Sequence, residues 1–282
     1  MNNNIILNRL FSNTTFTSIL QAKKNNLFDK CIASYVKNEE VKNNSEIIEL
    51  LYNYLQNNYR NEYFYKNTLF NKEIIGRHSL NTTTALTEVP IHKSKADFIK
   101  INGIATVYEI KTDLDSFERL EQQLFDYYKA FPLVNVVISE KNEKKAKSIL
   151  ENTNVGIIVL TKRNQFSKRK IAKTDSSYLD MSVIFNILRK HEFEEIIKSY
   201  YGFLPDTKPA FYYKECFNIF NKIPLDVAYQ LFITMLKKRN QIDVNAYLSN
   251  VPYELRFLAY FSSSIQENYE KLVRFLKSDR RN

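Results

Sequence analysis

A carboxylate and an ammonium group two residues apart at the end of one hydrophobic strand constrain this chain more than any other feature. Glu109 and Lys111 close the run from Ile104 to Lys111, which is otherwise largely apolar. Because side chains alternate across a strand, both charged groups project on one face while Ile110 points to the other. Charge at the end of a buried strand is costly unless it is paired or binds an ion. The pattern therefore predicts a polar site built into a sheet.

The segment before this strand is predicted to pair with it as a hairpin. Residues 96–101 read as a strand, and Asn102-Gly103 is a turn signal. A two-residue loop would turn Asp97 away from Glu109, because directly paired residues share a face. A three-residue loop over residues 101–103, or a one-residue bulge further along, turns both carboxyls to the same face. We predict the second arrangement, with the two carboxyls within about 4–6 Å.

The segment after the strand is predicted to be a helix over residues 115–130. Its apolar residues recur at helical spacing, and Asp115 with Glu118 three residues later predicts a capping box at its start. Gln123 borders the buried stripe of this helix. We therefore expect Gln123 to face the sheet beside Glu109.

Taken together, these residues resemble the PD-(D/E)XK nuclease superfamily over about residues 84–161. The residues that carry the resemblance are Asp97, Glu109, Ile110, Lys111, Gln123 and Tyr127. The last two are similar to the Q-x-x-x-Y element of the RecB-like branch, and the segment also looks like a small, little-characterised bacterial family of the superfamily. Ala96 stands where the superfamily's name has proline.

Hydrolysis of a phosphodiester needs neutralised phosphate oxygens and an activated water, and Mg²⁺ held by oxygen ligands supplies much of this. Asp97 and Glu109 are the candidate ligands, with the Ile110 carbonyl as a third and Mn²⁺ as a substitute metal. Lys111 is expected to orient the attacking water and offset charge in the transition state. Glu88, on a predicted strand over residues 84–91, is expected to add a ligand or act through water.

Gln123 and Tyr127 are assigned by the resemblance to the support of this site. They would form hydrogen bonds to the lysine, to the metal ligands or to the phosphate. Three readings without catalysis stay open. One is a buried ion-pair cluster with no catalytic role, and the second is a module that keeps the fold and binds nucleic acid without cleaving it. The third is an interaction protein whose helical flanks bind a protein partner or a second copy of the chain.

The fold expected from these elements is α/β, a restriction-endonuclease-like mixed β-sheet flanked by helices, with helical N- and C-terminal extensions. Apolar runs at 133–139 and 156–161 predict buried central strands on either side of a helix over 141–152. The predicted division is a helical region over 1–75, the nuclease-like core over 76–175 and a second helical region over 176–282.

The net charge of +10 favours a polyanionic partner, and nucleic acid, with DNA before RNA, is the expected one. The alternative is a lysine-rich surface that is only solvated. A basic run follows the last predicted strand. It is read either as a contact surface for a phosphate backbone or as a solvated loop or hairpin, and both readings are equally open. The candidate nucleic-acid-binding residues are Lys95, Lys162, Arg163, Lys168, Arg169 and Lys170.

The remaining residues with chemical potential show no competing pattern. Cys31 and Cys216 are far apart and lack metal-ligand spacing, so we expect reduced core cysteines in a cytoplasmic protein. The three histidines lack a Ser or Cys partner pattern and are read as structural or surface residues. No window approaches the roughly 18 consecutive apolar residues that a membrane span needs, and the N-terminus lacks the regions of a signal peptide.

Overall fold

The computed structural model describes residues 4–21, 26–36, 41 and 43–279 of the chain. Within these residues, six strands form one mixed sheet that is flanked by helices, with further helices in the N- and C-terminal regions. The predicted α/β class is confirmed. None of the helices in the described segments combines enough length with enough apolar content for a membrane crossing.

The N-terminal region is helical. Asn43 caps one of its helices, because its side-chain oxygen accepts a hydrogen bond from the backbone N–H of Glu46 at 3.1 Å. The helices are α1 (Asn4–Leu10), α2 (Asn13–Leu20), α3 (Asn26–Tyr35), α4 (Asn44–Asn58) and α5 (Glu62–Leu69), and a π-helical segment, Phe70–Ile75, continues α5.

The sheet follows the chain in order, from β1 at one edge to β6 at the other. Its strands are β1 (Thr84–Ile91), β2 (Ser94–Asn102), β3 (Ile104–Lys111), β4 (Leu133–Ser139), β5 (Gly156–Leu160) and β6 (Phe166–Lys170). The first three strands and the last two pair antiparallel, whereas β3, β4 and β5 are parallel. Parallel neighbours need a crossover, and α6 (Leu120–Tyr128) and α7 (Glu143–Leu150) provide it, α7 after a 3₁₀ turn at Glu140–Asn142.

The hairpin between β2 and β3 has a tighter connection than the sequence predicts. Asn102 pairs with Ile104 across Gly103, whose φ is +70°, so the predicted three-residue loop is wrong. Only glycine adopts this left-handed backbone without a steric penalty. The pairing nevertheless puts Ile99 opposite Val107. Two residues earlier on β2, Asp97 is therefore on the face that carries Glu109, as predicted.

The helix after β3 starts later than predicted. α6 begins at Leu120 with Arg119 at its N-cap, so Asp115 and Glu118 do not lie at the start of this helix. Instead, the Ser116 hydroxyl accepts a hydrogen bond from the backbone N–H of Glu118 at 3.2 Å. Such local side-chain bonds give the backbone an alternative to a helical turn.

The chain after β6 is helical to the end of the described residues. Its helices are α8 (Met181–Ile187), α9 (Lys190–Tyr201), α10 (Pro209–Phe220), α11 (Leu225–Lys237), α12 (Val244–Asn250), α13 (Arg256–Tyr260), α14 (Ser263–Gln266) and α15 (Tyr269–Lys277), with a 3₁₀ turn at Tyr253–Leu255. The chain divides into two units. One contains residues 1–81, 112–114 and 242–282, and the other, the sheet unit, contains residues 82–111 and 115–241.

The sheet unit has an apolar core between strand residues and its own helices. Ile99 and Val107 of the sheet lie in one buried cluster with Leu120 and Leu124 of α6. At Gly156 the packing leaves no room for a side chain, since an added Cβ would lie 2.1 Å from the Asn135 Oδ1 atom. This core fixes α6 over β2 and β3, where the polar residues of the sequence motif are located.

Candidate active site

The Glu109 carboxylate is the centre of a buried polar network on β3 and α6. Its Oε1 atom accepts hydrogen bonds from Gln123 Nε2 at 2.7 Å and from Lys111 Nζ at 2.9 Å, and its Oε2 atom accepts one from the Tyr127 hydroxyl at 2.6 Å. Gln123 also accepts from Lys111 through its Oε1 atom at 2.9 Å. Glu109 is only 1% exposed. The carboxylate, the ammonium and the amide therefore form a closed triangle in which each pair is in contact.

Helical spacing explains why Gln123 and Tyr127 reach the same carboxylate. Residues four apart lie on one face of a helix, and this face of α6 is turned towards β3. Burial and then the negative charge of Glu109 raise the pKa of Tyr127 well above its usual range. The hydroxyl therefore remains a donor. It lies within hydrogen-bond distance of Glu109 and, at 2.9 Å, of the Lys95 carbonyl, so one proton serves two acceptors.

Asp97 reaches the same strand end from β2. Its Oδ2 atom accepts a hydrogen bond from the backbone N–H of Ile110 at 2.8 Å, just beyond the Phe98–Tyr108 pair at which the β2–β3 ladder ends. The negative charge of Asp97 also contributes to the raised pKa of Tyr127. The structure thus brings Asp97 to the same strand end as the Glu109 network, with its carboxylate bound to the residue between Glu109 and Lys111.

Glu88 lies beside Asp97 at a break in the β1–β2 ladder. The ladder pairs Thr87 with Phe98 and Val89 with Ala96 but omits the step between them, and Glu88 has a φ of +55°. This conformation is unfavourable for a residue other than glycine, and such outliers persist where the surrounding structure enforces them. A carboxylate oxygen of Glu88 lies within 4.8 Å of one of Asp97.

Lys95 forms an ion pair with Glu88 at this position. Both side chains are partly exposed, at 58% for Lys95 and 40% for Glu88. The candidate site therefore has an inner part, the buried Glu109 network, and an outer part, formed by Glu88, Lys95 and Asp97. An outer part of this kind is accessible to a ligand, whereas the inner part is preorganised by its own contacts.

A second buried carboxylate, that of Asp126 on α6, was not predicted from the sequence. Asp126 is 0% exposed and accepts hydrogen bonds from Ser94 at 2.8 Å and from Lys129 at 3.1 Å. Burial opposes its ionisation, but these two donors outweigh burial and hold the pKa of Asp126 below its usual range. Asp126 and Tyr127 thus bind Ser94 and Lys95, and these consecutive pairs fix α6 to the start of β2. Only contact between distant elements reveals this role, and the sequence carries no signal for it.

The basic run after β5 is distributed over one hairpin. Lys162 and Arg163 lie in the β5–β6 turn, and Lys168 is exposed on β6. Arg169 forms an ion pair with Glu143 at 3.1 Å. Lys170 binds the backbone carbonyls of Leu150 and Thr153 at the end of α7. Arg169 and Lys170 therefore have structural partners, whereas Lys168 is exposed on the edge strand.

The candidate site lies within the part of the chain that matches a known protein family. A family model described as bacteriophage P4 protein cII matches residues 55–258, a range that contains the whole candidate site. Protein cII of Enterobacteria phage P4 is 26% identical over 188 residues, which cover 64% of this chain and 69% of the relative. No solved structure gives a significant match.

Proposed function

The chain belongs to the bacteriophage P4 protein cII family, and we propose that it is a metal-dependent nuclease of the PD-(D/E)XK type. It would hydrolyse phosphodiester bonds of nucleic acid, with DNA preferred to RNA. The family's name states no chemical activity, so the proposal depends on the site. The observation that carries it is the contact of Glu109 with Lys111, Gln123 and Tyr127, beside Asp97 on the neighbouring strand.

The donor set of this site fits Mg²⁺. Asp97 and Glu109 supply carboxylate oxygens from adjacent strands, Ile110 between Glu109 and Lys111 supplies a backbone carbonyl, and Mg²⁺ binds oxygen ligands while keeping several waters. Each carboxylate oxygen offers two lone pairs, and Glu109 Oε2 uses one of them for Tyr127. Bound Mg²⁺ or Mn²⁺ would polarise the phosphate and lower the pKa of a bound water. Glu88 is close enough to Asp97 to contribute a further oxygen.

The protein's own residues then have distinct roles. Lys111 is held in position by Glu109 and Gln123, so its ammonium orients the attacking water and offsets negative charge that develops on the phosphate. Gln123 and Tyr127 position Glu109 and do not themselves meet the substrate. Lys95, at the exposed outer part, is placed to bind a phosphate of the strand.

The closed network around Glu109 favours one alternative. Three donors satisfy a carboxylate that is almost excluded from water, and this is also how a purely structural buried charge is stabilised. A non-catalytic protein on the same fold, binding nucleic acid or a protein partner through its helical regions, would have such a network. It would not bind a divalent ion at Asp97 and Glu109.

The deciding experiment is incubation of the purified protein with plasmid, linear duplex, single-stranded DNA and RNA, each with Mg²⁺, Mn²⁺ or EDTA. We expect cleavage with Mg²⁺ or Mn²⁺ and none with EDTA. Cleavage that persists in EDTA would exclude the proposed chemistry. No cleavage of any substrate, with no Mn²⁺ binding by calorimetry, would favour the non-catalytic alternative. We further propose a setting in bacterial host defence or DNA processing, in the cytoplasm.

A further inference from the structure

A cavity lies on the side of α6 that faces away from the Glu109 network. Its volume is about 360 Å³, and residues of α6 at positions 121, 124, 125 and 128 line one side of it. These positions follow helical spacing on one face, whereas Gln123 and Tyr127 lie on nearly the opposite face. All residues that line the cavity belong to the sheet unit. Its volume falls in the range of pockets that hold small organic groups.

Aromatic side chains form an open wall of this cavity. Phe125 and Tyr178 are each about half exposed, and their rings meet edge to face with centroids 5.9 Å apart. The ring of Tyr128 lies 6.3 Å from that of Tyr178 and is buried. Exposed aromatic rings grouped around a cavity are suited to stacking against a flat ring, as in proteins that bind unpaired bases.

The polar groups of the cavity offer one donor beside one acceptor. Tyr128 is 8% exposed, and its hydroxyl has no hydrogen-bond partner within the described residues. Burial, and then the negative charge of Asp175, raise the pKa of Tyr128 to about 12, so the hydroxyl keeps its proton. Asp175 also lines the cavity. A buried polar group without a partner calls for an explanation, and a ligand acceptor would satisfy the Tyr128 hydroxyl. The Oδ1 atom of Asp175 already accepts hydrogen bonds from Ser177, whereas its Oδ2 atom accepts one from Asn154 and has a second lone pair for a ligand donor.

The basic run of the β5–β6 hairpin borders the same cavity. Lys170 binds the carbonyls of Leu150 and Thr153, and the backbone N–H of Lys173 binds the carbonyl of Asn154 at 2.9 Å. Leu150, Thr153 and Asn154 all line the cavity. The charged residues that line the cavity, Glu121 and Asp175, are acidic, so a phosphodiester would lie outside it, towards exposed cations of the hairpin such as Lys168. The aromatic wall would then meet the attached base.

We propose that this cavity binds an unpaired nucleobase of a nucleic-acid strand. The base would stack on the aromatic wall and present an acceptor to the Tyr128 hydroxyl and a donor to Asp175. Every unpaired base offers an acceptor beside a donor, and adenine does so at N7 and the N6 amino group. Because the larger purine ring stacks more strongly on aromatic side chains, adenine is expected to bind more tightly than thymine. The proposal extends the nucleic-acid-binding part of the proposed function and requires no cleavage.

The test is fluorescence anisotropy with labelled oligo(dA) and oligo(dT) in EDTA, so that nuclease activity plays no part. We expect preference for oligo(dA), and a 5- to 150-fold loss of affinity on Phe125→Ala or Tyr178→Ala, since stacking on one aromatic residue contributes about 1–3 kcal/mol. Phe211→Ala is the matched control, because Phe211 is equally exposed but lies on α10 away from the cavity. Equal affinities for Phe125→Ala, Tyr178→Ala and Phe211→Ala would overturn the proposal.

Tyr128→Phe separates ligand binding from structure. The lost hydroxyl has no hydrogen-bond partner among the described residues, so the melting temperature should stay the same or rise while the affinity for oligo(dA) falls. An unchanged affinity would remove Tyr128 and Asp175 from the proposal. Competition with free adenosine distinguishes the source of the base. If free adenosine competes as well as oligo(dA) at the same concentration, the cavity is a nucleoside site, and the proposal that it binds a nucleic-acid strand is contradicted.

Discussion

Lys111 Nζ lies 2.9 Å from Glu109 Oε1, and the two side chains are only 10% and 2% exposed. The residues are two apart on β3, so a regular strand puts both on one face. The ion pair is therefore a direct product of the local sequence, and only its burial depends on α6. Buried pairs of this kind contribute little net stability compared with apolar residues, yet breaking one is strongly destabilising.

Loss of one partner of this pair should destabilise the protein more than loss of both. Lys111→Met leaves the Glu109 charge buried with fewer donors, and we expect a decrease in unfolding free energy of about 3–5 kcal/mol. Addition of Glu109→Gln should recover much of it. Urea denaturation measures both, with the exposed Lys144→Met as control. Additive losses in the double variant would show that the two side chains are not coupled.

Cleavage should depend on the charges of the site and not on its shape. Asp97→Ala, Glu109→Ala and Lys111→Ala should each abolish metal-dependent cleavage, and the isosteric Glu109→Gln should lower its rate by at least about 10²–10³, the usual cost of one transition-state contact. Glu140→Gln, an exposed change just after β4, serves as control. Initial rates on plasmid, with circular dichroism to confirm folding, decide this point. Full activity in the Glu109→Gln protein would exclude the mechanism.

Lys168 and Lys170 of the basic run should have different roles, Lys168 in DNA binding and Lys170 in stability. Lys168→Gln should reduce the log–log salt dependence of DNA binding by about 0.9 on duplex, or about 0.7 on single strands, if it contacts one phosphate. The stability of the Lys168→Gln protein should not change. Lys170→Gln should instead lower the melting temperature, because it removes the ammonium that binds carbonyls at the end of α7. Identical salt slopes for Lys168→Gln and the wild type would show that Lys168 does not contact a phosphate and that β6 is only a solvated edge strand.

A second buried ion pair should contribute to the acid sensitivity of the sheet unit. Arg239 donates to both carboxylate oxygens of Glu192, at 2.6 and 2.5 Å. Burial opposes ionisation of Glu192, but the hydrogen bonds from Arg239 outweigh it and hold the pKa of Glu192 below its usual range. A carboxyl group whose pKa is lowered in the folded state stabilises the fold at pH values above its unfolded pKa of about 4.3. This stabilisation is lost as the pH falls through the folded pKa.

Between about pH 5 and pH 3, Glu192→Gln with Arg239→Met should therefore lose less stability than the wild type. Thermal unfolding over this range measures the difference. The matched control is Glu195→Gln with Lys238→Met, which removes a neighbouring ion pair whose side chains are about half exposed. Exposed pairs contribute only about 0–1 kcal/mol, so the control profile should follow the wild type. If it does not, general surface charge rather than the buried pair sets the acid sensitivity.

Sequence patterns predicted the strands better than their connections. β1, β3 and β4 have the predicted bounds because polar or turn residues delimit their largely apolar runs. The shared face of Asp97 and Glu109 followed from pairing parity. The tight turn at Gly103 differed, because several loop lengths satisfy the same parity. The start of α6 also differed, since the Ser116 hydroxyl competes with the predicted cap. The contact of Asp126 with Ser94 depends on packing between elements 32 residues apart, which no local pattern encodes.

The helix α6 carries two separate surfaces on a rod of nine residues. One holds the Glu109 carboxylate in place, and the other forms a wall of the aromatic cavity. A ligand that shifts this rod must do work on both surfaces at once. Thermodynamic linkage then requires reciprocity: whatever factor an adenine in the cavity applies to metal affinity at β3, the metal applies to adenine affinity. An unpaired base and a divalent ion would thus affect each other's binding through α6.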